Sequence, residues 1–202
     1  MSHTVHCPSC GGPVEVRSRA IQLAVCPFCD QSIVLTPEGA QAGGKVAALA
    51  DMFTELSTGA AGMLQGRTFQ VAGRVRYAWS DGYWDEWAVW FDDGTEGWLH
   101  EDEGELSLLR QVPLEGPVSL QTARVGKTLR VNGTDVYVTE MRSATVKGAE
   151  GQVPRGVAPG QQLQYVDGKV SGQHWMLELV DGELELFVGD RLPDDALEVH
   201  GA

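Results

Sequence analysis

All four cysteines of the 202-residue chain fall within its first 29 positions, as Cys7-Pro-Ser-Cys10 and Cys26-Pro-Phe-Cys29. The spacing C-x2-C-x15-C-x2-C is the pattern of a tetrahedral metal site. A tight turn after each first cysteine lets two sulfurs converge, and two such knuckles surround one ion with four thiolates. Gly11 and Gly12 strengthen the reading, because glycine lets backbone amides approach the sulfurs. Zinc is the expected ion, in a structural role, since four thiolates leave no open coordination position. Iron uses the same ligand set, and two disulfides are the alternative that a reducing compartment disfavours. His3 and His6 precede Cys7 and are not needed as ligands. The charges within residues 1–37 are Glu15, Arg17, Arg19 and Asp30, which cancel, so the basic stripe of a nucleic-acid ribbon is missing.

A second concentration of chemistry lies further on. Five of the six tryptophans (Trp79, Trp84, Trp87, Trp90 and Trp98) fall between residues 79 and 98, with Tyr77, Tyr83 and Phe91 among them. Residues 66–110 carry four arginines, no lysine and ten acids. Aromatic faces beside carboxylates suit an ammonium or guanidinium group, through cation–π attraction and ion pairing. The candidate binding residues are Trp79, Tyr83, Trp84, Asp85, Glu86, Trp87 and Trp98, and Trp79, Tyr83 and Trp84 flank the turn Ser80-Asp-Gly82. The competing expectation is that the rings fill a small β core while the acids solvate loops. Stacking on single-stranded bases ranks last, because the negative field repels a phosphate backbone.

No catalytic residue stands out. His100 and His174 could act as general bases, but neither sits in a nucleophile or metalloprotease pattern, and His100 reads as a surface histidine in an acidic loop. The neighbours Asp85 and Glu86 point to opposite faces of a strand and do not share a substrate. The sequence therefore leans away from an enzyme.

The elements that hold these groups are mostly strands. Thr36-Pro-Glu-Gly39 closes the cysteine segment, and Gln41-Ala-Gly-Gly44 reads as a flexible joint. Val46, Leu49, Ala50, Phe53 and Leu56 have helical spacing, which predicts a short amphipathic helix from Lys45 to Leu56. From Gly66 the pattern becomes short alternating runs separated by glycine and aspartate, the vocabulary of antiparallel hairpins. Gly66-Arg-Thr-Phe-Gln-Val-Ala-Gly73 matches Gly126-Lys-Thr-Leu-Arg-Val-Asn-Gly133, which brings Tyr77 into register with Tyr137. Trp87 precedes Asp93-Gly94 by the same interval as Trp175 precedes Asp181-Gly182. Two copies of one β unit are expected, the second with an insertion over residues 143–172. The predicted architecture is mainly β: a zinc ribbon over 1–38, a linker with a short helix over 39–63, and two tandem small SH3-like barrels over 64–112 and 113–202.

Lys plus Arg number 15 against 28 Asp plus Glu, a formal charge of -13, which argues against binding to nucleic acid or anionic lipid and favours basic partners. No apolar run reaches the ~20 residues that span a bilayer, and the first residues lack the basic start and apolar stretch of a signal peptide, so a cytoplasmic protein without membrane insertion is expected.

Gly66 to Tyr77, Tyr83-Trp-Asp-Glu-Trp87, Phe91-Asp-Asp-Gly94 and Gly97-Trp-Leu99 resemble the bacterial family called domain of unknown function 4178, over roughly residues 64–192. The resemblance implies a β-rich module often preceded by a cysteine-pair ribbon, encoded near polyamine-synthesis and membrane-associated genes, with no catalytic residues to carry over. The functional expectation is a non-enzymatic adaptor or scaffold that binds a basic protein segment or assembly partner. A polyamine-binding protein is the alternative, and an uncharacterised enzyme comes third.

Overall fold

The computed structural model describes residues 2–45, 49 and 54–200. Two hairpin systems make up the cysteine-bearing segment. Strands β1 (His3–His6) and β2 (Pro13–Val16) pair with each other, while β3 (Leu23–Val25), β4 (Gln31–Thr36) and β5 (Gly39–Lys45) form an antiparallel run. The expected flexible joint is therefore a strand, and the ribbon extends past residue 38. Glycine serves close packing here: a Cβ on Gly43 would lie 2.8 Å from the Ser32 hydroxyl and 2.9 Å from Val34. The Ser32 hydroxyl in turn donates to the Gly44 carbonyl at 2.8 Å. Val46, Ala50 and Phe53 of the expected helix lie outside the described residues, among which a 3-10 turn at Leu120–Thr122 is the single helical segment.

The remaining strands are β6 (Ala61–Leu64), β7 (Arg67–Ala78), β8 (Tyr83–Phe91), β9 (Glu96–Asp102), β10 (Glu105–Val112), β11 (Thr128–Val131), β12 (Thr134–Val153), β13 (Gln162–Val170), β14 (Gln173–Val180), β15 (Glu183–Arg191) and β16 (Leu197–His200). Short glycine turns let consecutive strands fold back on one another. Gln65-Gly66, Glu103-Gly104, Asn132-Gly133, Ser171-Gly172 and Asp181-Gly182 all have positive φ at both residues, the geometry that matches strand twist in a two-residue hairpin.

The mainly β class holds, but the two β segments close on each other instead of each on itself. Strands β7 to β10 form one antiparallel meander and β12 to β15 another; β10 then pairs with β15 (Leu109↔Gly189) and β12 with β7 (Val146↔Tyr77). The result is one ring of eight strands. It looks like two units in sequence because each meander has its own outer apolar layer. Leu64, Phe69, Trp87, Val89 and Leu99 pack under β6 and β16, and Val131, Val136, Val166, Leu177 and Leu186 pack under β11 and the 3-10 turn.

The two stretches that match in sequence sit differently relative to the turns. Gln65-Gly66 and Asn132-Gly133 each enter a strand that carries a β-bulge at the same later position, Val71/Gly73 and Val138/Glu140. Gly66 to Val71 thus follows its hairpin turn, whereas Gly126 to Val131 precedes one. The supposed insertion is the far end of β12, a loop, all of β13 and the turn after it.

Inside the ring, alternate residues converge on a second core that contains Tyr77, Trp84, Trp98, Leu109, Val146, Leu163, Tyr165, Met176 and Phe187. The β10–β15 seam that joins the meanders is tight, because a Cβ on Gly189 would run into the Leu108 carbonyl oxygen. Gly189→Ala should therefore destabilise the chain by about 1–3 kcal/mol, as overpacking does, read as a lower midpoint in urea or thermal unfolding.

Candidate functional site

The cysteines come together as their spacing requires. The four sulfurs lie within 4.8 Å of one another, with Cys7 to Cys29 at 3.8 Å and Cys10 to Cys26 at 3.7 Å. Those separations are too long for a disulfide, and they match the edge of a tetrahedron whose centre is about 2.3 Å from each sulfur. Both knuckles share one backbone plan. Gly11 N–H donates to Cys7 C=O at 2.9 Å and Asp30 N–H to Cys26 C=O at 3.0 Å, with Gly11 and Asp30 at φ 74° and 56°. Amides of Ser9 and Gly12 point at the sulfurs of Cys7 and Cys10, each at 3.4 Å. The Cys10 amide helps pull the Cys7 thiol down to about 7, whereas burial and the three neighbouring sulfurs overcome the Gln31 amide and push Cys29 up to about 12. Four sulfurs at these distances can hold a metal ion. His6 instead approaches the Gly11 carbonyl at 3.2 Å and stays outside the cluster.

The seven predicted aromatic and acidic residues do not converge on one site. Trp84, Glu86 and Trp98 face the ring interior; Trp87 and Asp85 are buried on the opposite face of β8; Trp79 and Tyr83 are half-buried at the ring's end. Alternation along the strand enforces this division. Much of the cation chemistry is satisfied by the chain's own arginines. Arg76 lies 4.2 Å over the Tyr83 ring and holds both Asp85 oxygens at 2.8 and 2.6 Å. Arg74 lies 4.7 Å over Trp87, and Arg142 lies 5.7 Å over Trp79. An open cleft of about 450 Å³ remains, lined by Trp79, Gly82, Tyr83, Asp85, Glu101, Glu103 and Gly104.

The family model of a domain of unknown function, DUF4178, matches residues 57–194. The chain belongs to this family. No curated protein and no solved structure matches it. The DUF4178 match begins just before β6, ends just after β15, and leaves the four cysteines outside.

The DUF4178 ring also encloses charged groups, of which the sequence pointed to Glu86 and not to Arg155, Glu178 or Glu185. Arg155, on the loop after β12, enters the interior, where it pairs with Glu178, with Glu185 at 2.7 Å and with Glu86 at 3.3 Å, and reaches the Tyr77 hydroxyl at 3.1 Å. Burial together with the adjacent Glu178 raises the Glu86 carboxyl well above its ordinary range. Burial also raises Glu178, although Arg155 opposes the shift. Desolvation alone would lower Arg155, but Glu178, Tyr77, Glu86 and Glu185 hold it above its usual value. The signal was present in the sequence as isolated acids at the inward positions of apolar strands, Trp84-x-Glu86-x-Ala88 and Met176-x-Glu178-x-Val180.

Toward the other end of the interior, His100 is buried, which corrects its reading as a surface histidine. It sits on β9 with its side chain inside the ring, and its imidazole meets that of His174 edge-on at 5.4 Å. His174 contacts Asp167 at 3.0 Å and the Ser107 hydroxyl at 3.4 Å. Burial holds His100 down at about 4, while burial and then the acids Glu103, Glu140 and Asp167 push Asp102 up to about 6.

These two shifts have opposite consequences for stability. Asp102 binds its proton more readily folded than unfolded, so its contribution is full below about 3.8 and is lost as pH rises through about 6. The His100 contribution is full above about 6.5 and is lost as pH falls toward 4. Asp102→Asn should therefore raise the thermal midpoint more at pH 7.5 than at pH 5, a comparison that scanning calorimetry of both proteins at both pH values checks.

Proposed function

We propose that this protein is a non-catalytic binding module, in which a structural zinc ribbon braces a β ring whose outer cleft receives a basic segment of a partner protein. The cleft is the observation that carries the reading. Trp79 and Tyr83 offer aromatic surface, and Glu101 and Glu103 offer carboxylates beside it, while Asp85 is already held by Arg76. Burial raises the Glu101 carboxyl, which also accepts a 2.8 Å hydrogen bond from Trp87. A lysine or arginine placed there gains charge pairing at a partly desolvated acid and cation–π contact with a ring, together about 1–3 kcal/mol. Zinc is the ion that four thiolates in a closed tetrahedral set favour. A reducing cytoplasm, where such thiols persist, is the compartment that goes with it.

A second reading, a small polycation such as a polyamine in the same cleft, is favoured by the cleft's size: about 450 Å³ lies within the range of small-ligand sites. It would place the chain in a polyamine-linked or membrane-associated bacterial system. An enzymatic role ranks third.

Tryptophan emission titrated with a lysine-rich peptide, with spermidine and with sodium chloride at matched ionic strength separates these readings. The adaptor reading expects saturable quenching by the peptide that Trp79→Ala or Glu101→Gln weakens about tenfold while the thermal midpoint stays close to wild type. Saturation by spermidine alone would favour the polycation, and a response identical to salt in both arms would remove the cleft as a cation site.

A further inference from the structure

We propose that the ion of the four-cysteine centre controls the interior of the ring, by holding the strand end from which Arg155 reaches the buried carboxylates. This inference is independent of the outer cleft. It starts from how the ribbon is attached. Strand β3 pairs with the far end of β12, Ala24 opposite Gln152 and Leu23 opposite Val153, and the Gln22 amide donates to the Val153 carbonyl at 3.1 Å. Cys26, one of the four clustered cysteines, directly follows β3. The other ribbon hairpin is tied to the same place, since the Gln152 side chain donates to the Glu15 carbonyl at 2.7 Å and accepts from the Arg17 amide at 3.1 Å. Leu23 itself is fully buried in the ring's inner core with Tyr77, Trp84 and Phe187, so the ribbon supplies part of the floor of that core.

Arg155 lies two residues beyond Val153. Its guanidinium pairs with Glu86, Glu178 and Glu185, contacts the Tyr77 hydroxyl and stands 5.3 Å from the Phe187 ring. Three carboxylates therefore depend on one cation whose backbone is anchored by a ribbon strand. The ribbon's own core is small, with Cys7 and Cys26 among its five buried members alongside Val14, Ala24 and Ile33. A core of that size does not persist without its ion. Loss of the ion therefore releases β3 from β12, uncovers the floor at Leu23 and frees the loop that carries Arg155. Left without their cation, Glu86 and Glu178 are buried charges that the interior does not tolerate, and the ring opens locally to water or takes up protons. Metal occupancy thus switches the interior between a closed state, in which Arg155 bridges the buried acids, and an open acidic one walled by Tyr77 and Phe187.

The test uses the full chain under a reductant that keeps the thiols free, loaded with zinc or stripped by a chelator, with amide hydrogen exchange as the readout. Stripping should speed exchange at least tenfold on both sides of the junction, in β3 to β5 and also at the interior strands around Glu86, Glu178 and Phe187. Faster exchange confined to residues 2–45 would overturn the proposal. The double variant Glu86→Gln and Glu178→Gln removes the need for Arg155, so its ring strands should respond to stripping much less than wild type. An equal response would overturn the role assigned to Arg155. If that variant does not fold, Glu178→Gln alone serves, with the same two outcomes. Cys26→Ser should reproduce the stripped pattern without any chelator.

Discussion

Strand β12 is hydrogen-bonded to four different neighbours along its 20 residues. Its first part pairs with β11 on one side and β13 on the other, its middle with β13 and then β7, and its last two residues with β3 of the ribbon. A flat strand of that length would expose an edge and could not serve partners that point in different directions. Two irregularities, between Val138 and Glu140 toward β13 and between Val146 and Gly148 toward β7, bend and twist it. Ring closure, the docking of the ribbon and the position of Arg155 all follow from that one bent strand.

The closed ring creates a problem that an open sheet avoids. Its inner face cannot be solvated, so every inward residue must be apolar or paired, yet Glu86, His100, Glu178 and Arg155 are all there. Such groups contribute little net stability, because desolvation offsets most of the attraction. They do fix register. A slip of one residue along β8 would turn Glu86 outward and bring Asp85 and Trp87 inward, separating Asp85 from Arg76 and Glu86 from Arg155 at once. The ion pairs on the two faces of β8 thus penalise the same error twice, in a strand whose many aromatic residues would otherwise tolerate either face.

What could be read from the sequence divides along the range of the interactions. The cysteine pairs and the glycine hairpins are local, so spacing and turn chemistry revealed the four-cysteine cluster and the β class. The β10–β15 and β7–β12 pairings join residues about seventy or more positions apart, and no short pattern encodes them. Gly43-Gly44 read as a joint because glycine in a strand looks like a break, whereas here its missing side chain permits contact with Ser32 and Val34. Arg155 sits in a stretch of glycine and proline that resembles an exposed loop, and its destination depends on acids contributed by three other strands.

The aromatic and acidic composition misleads for a related reason. Counted along the chain, residues 66–110 are strongly negative and ask for an external cation. In space, arginines from within that stretch and from β12 and the loop after it cover those groups: Arg74 and Arg76 on Asp85, Arg142 over Trp79, and Arg155 on Glu86. A cation drawn from the same chain binds without the translational entropy that a free ligand gives up, so it takes the best-desolvated carboxylates first. On the proposed reading an external cation meets Glu101 and Glu103 at the cleft, the first of them already within the field of Arg74. On that reading the outer cleft is the weaker and more exchangeable half of a charge pattern whose stronger half goes into folding.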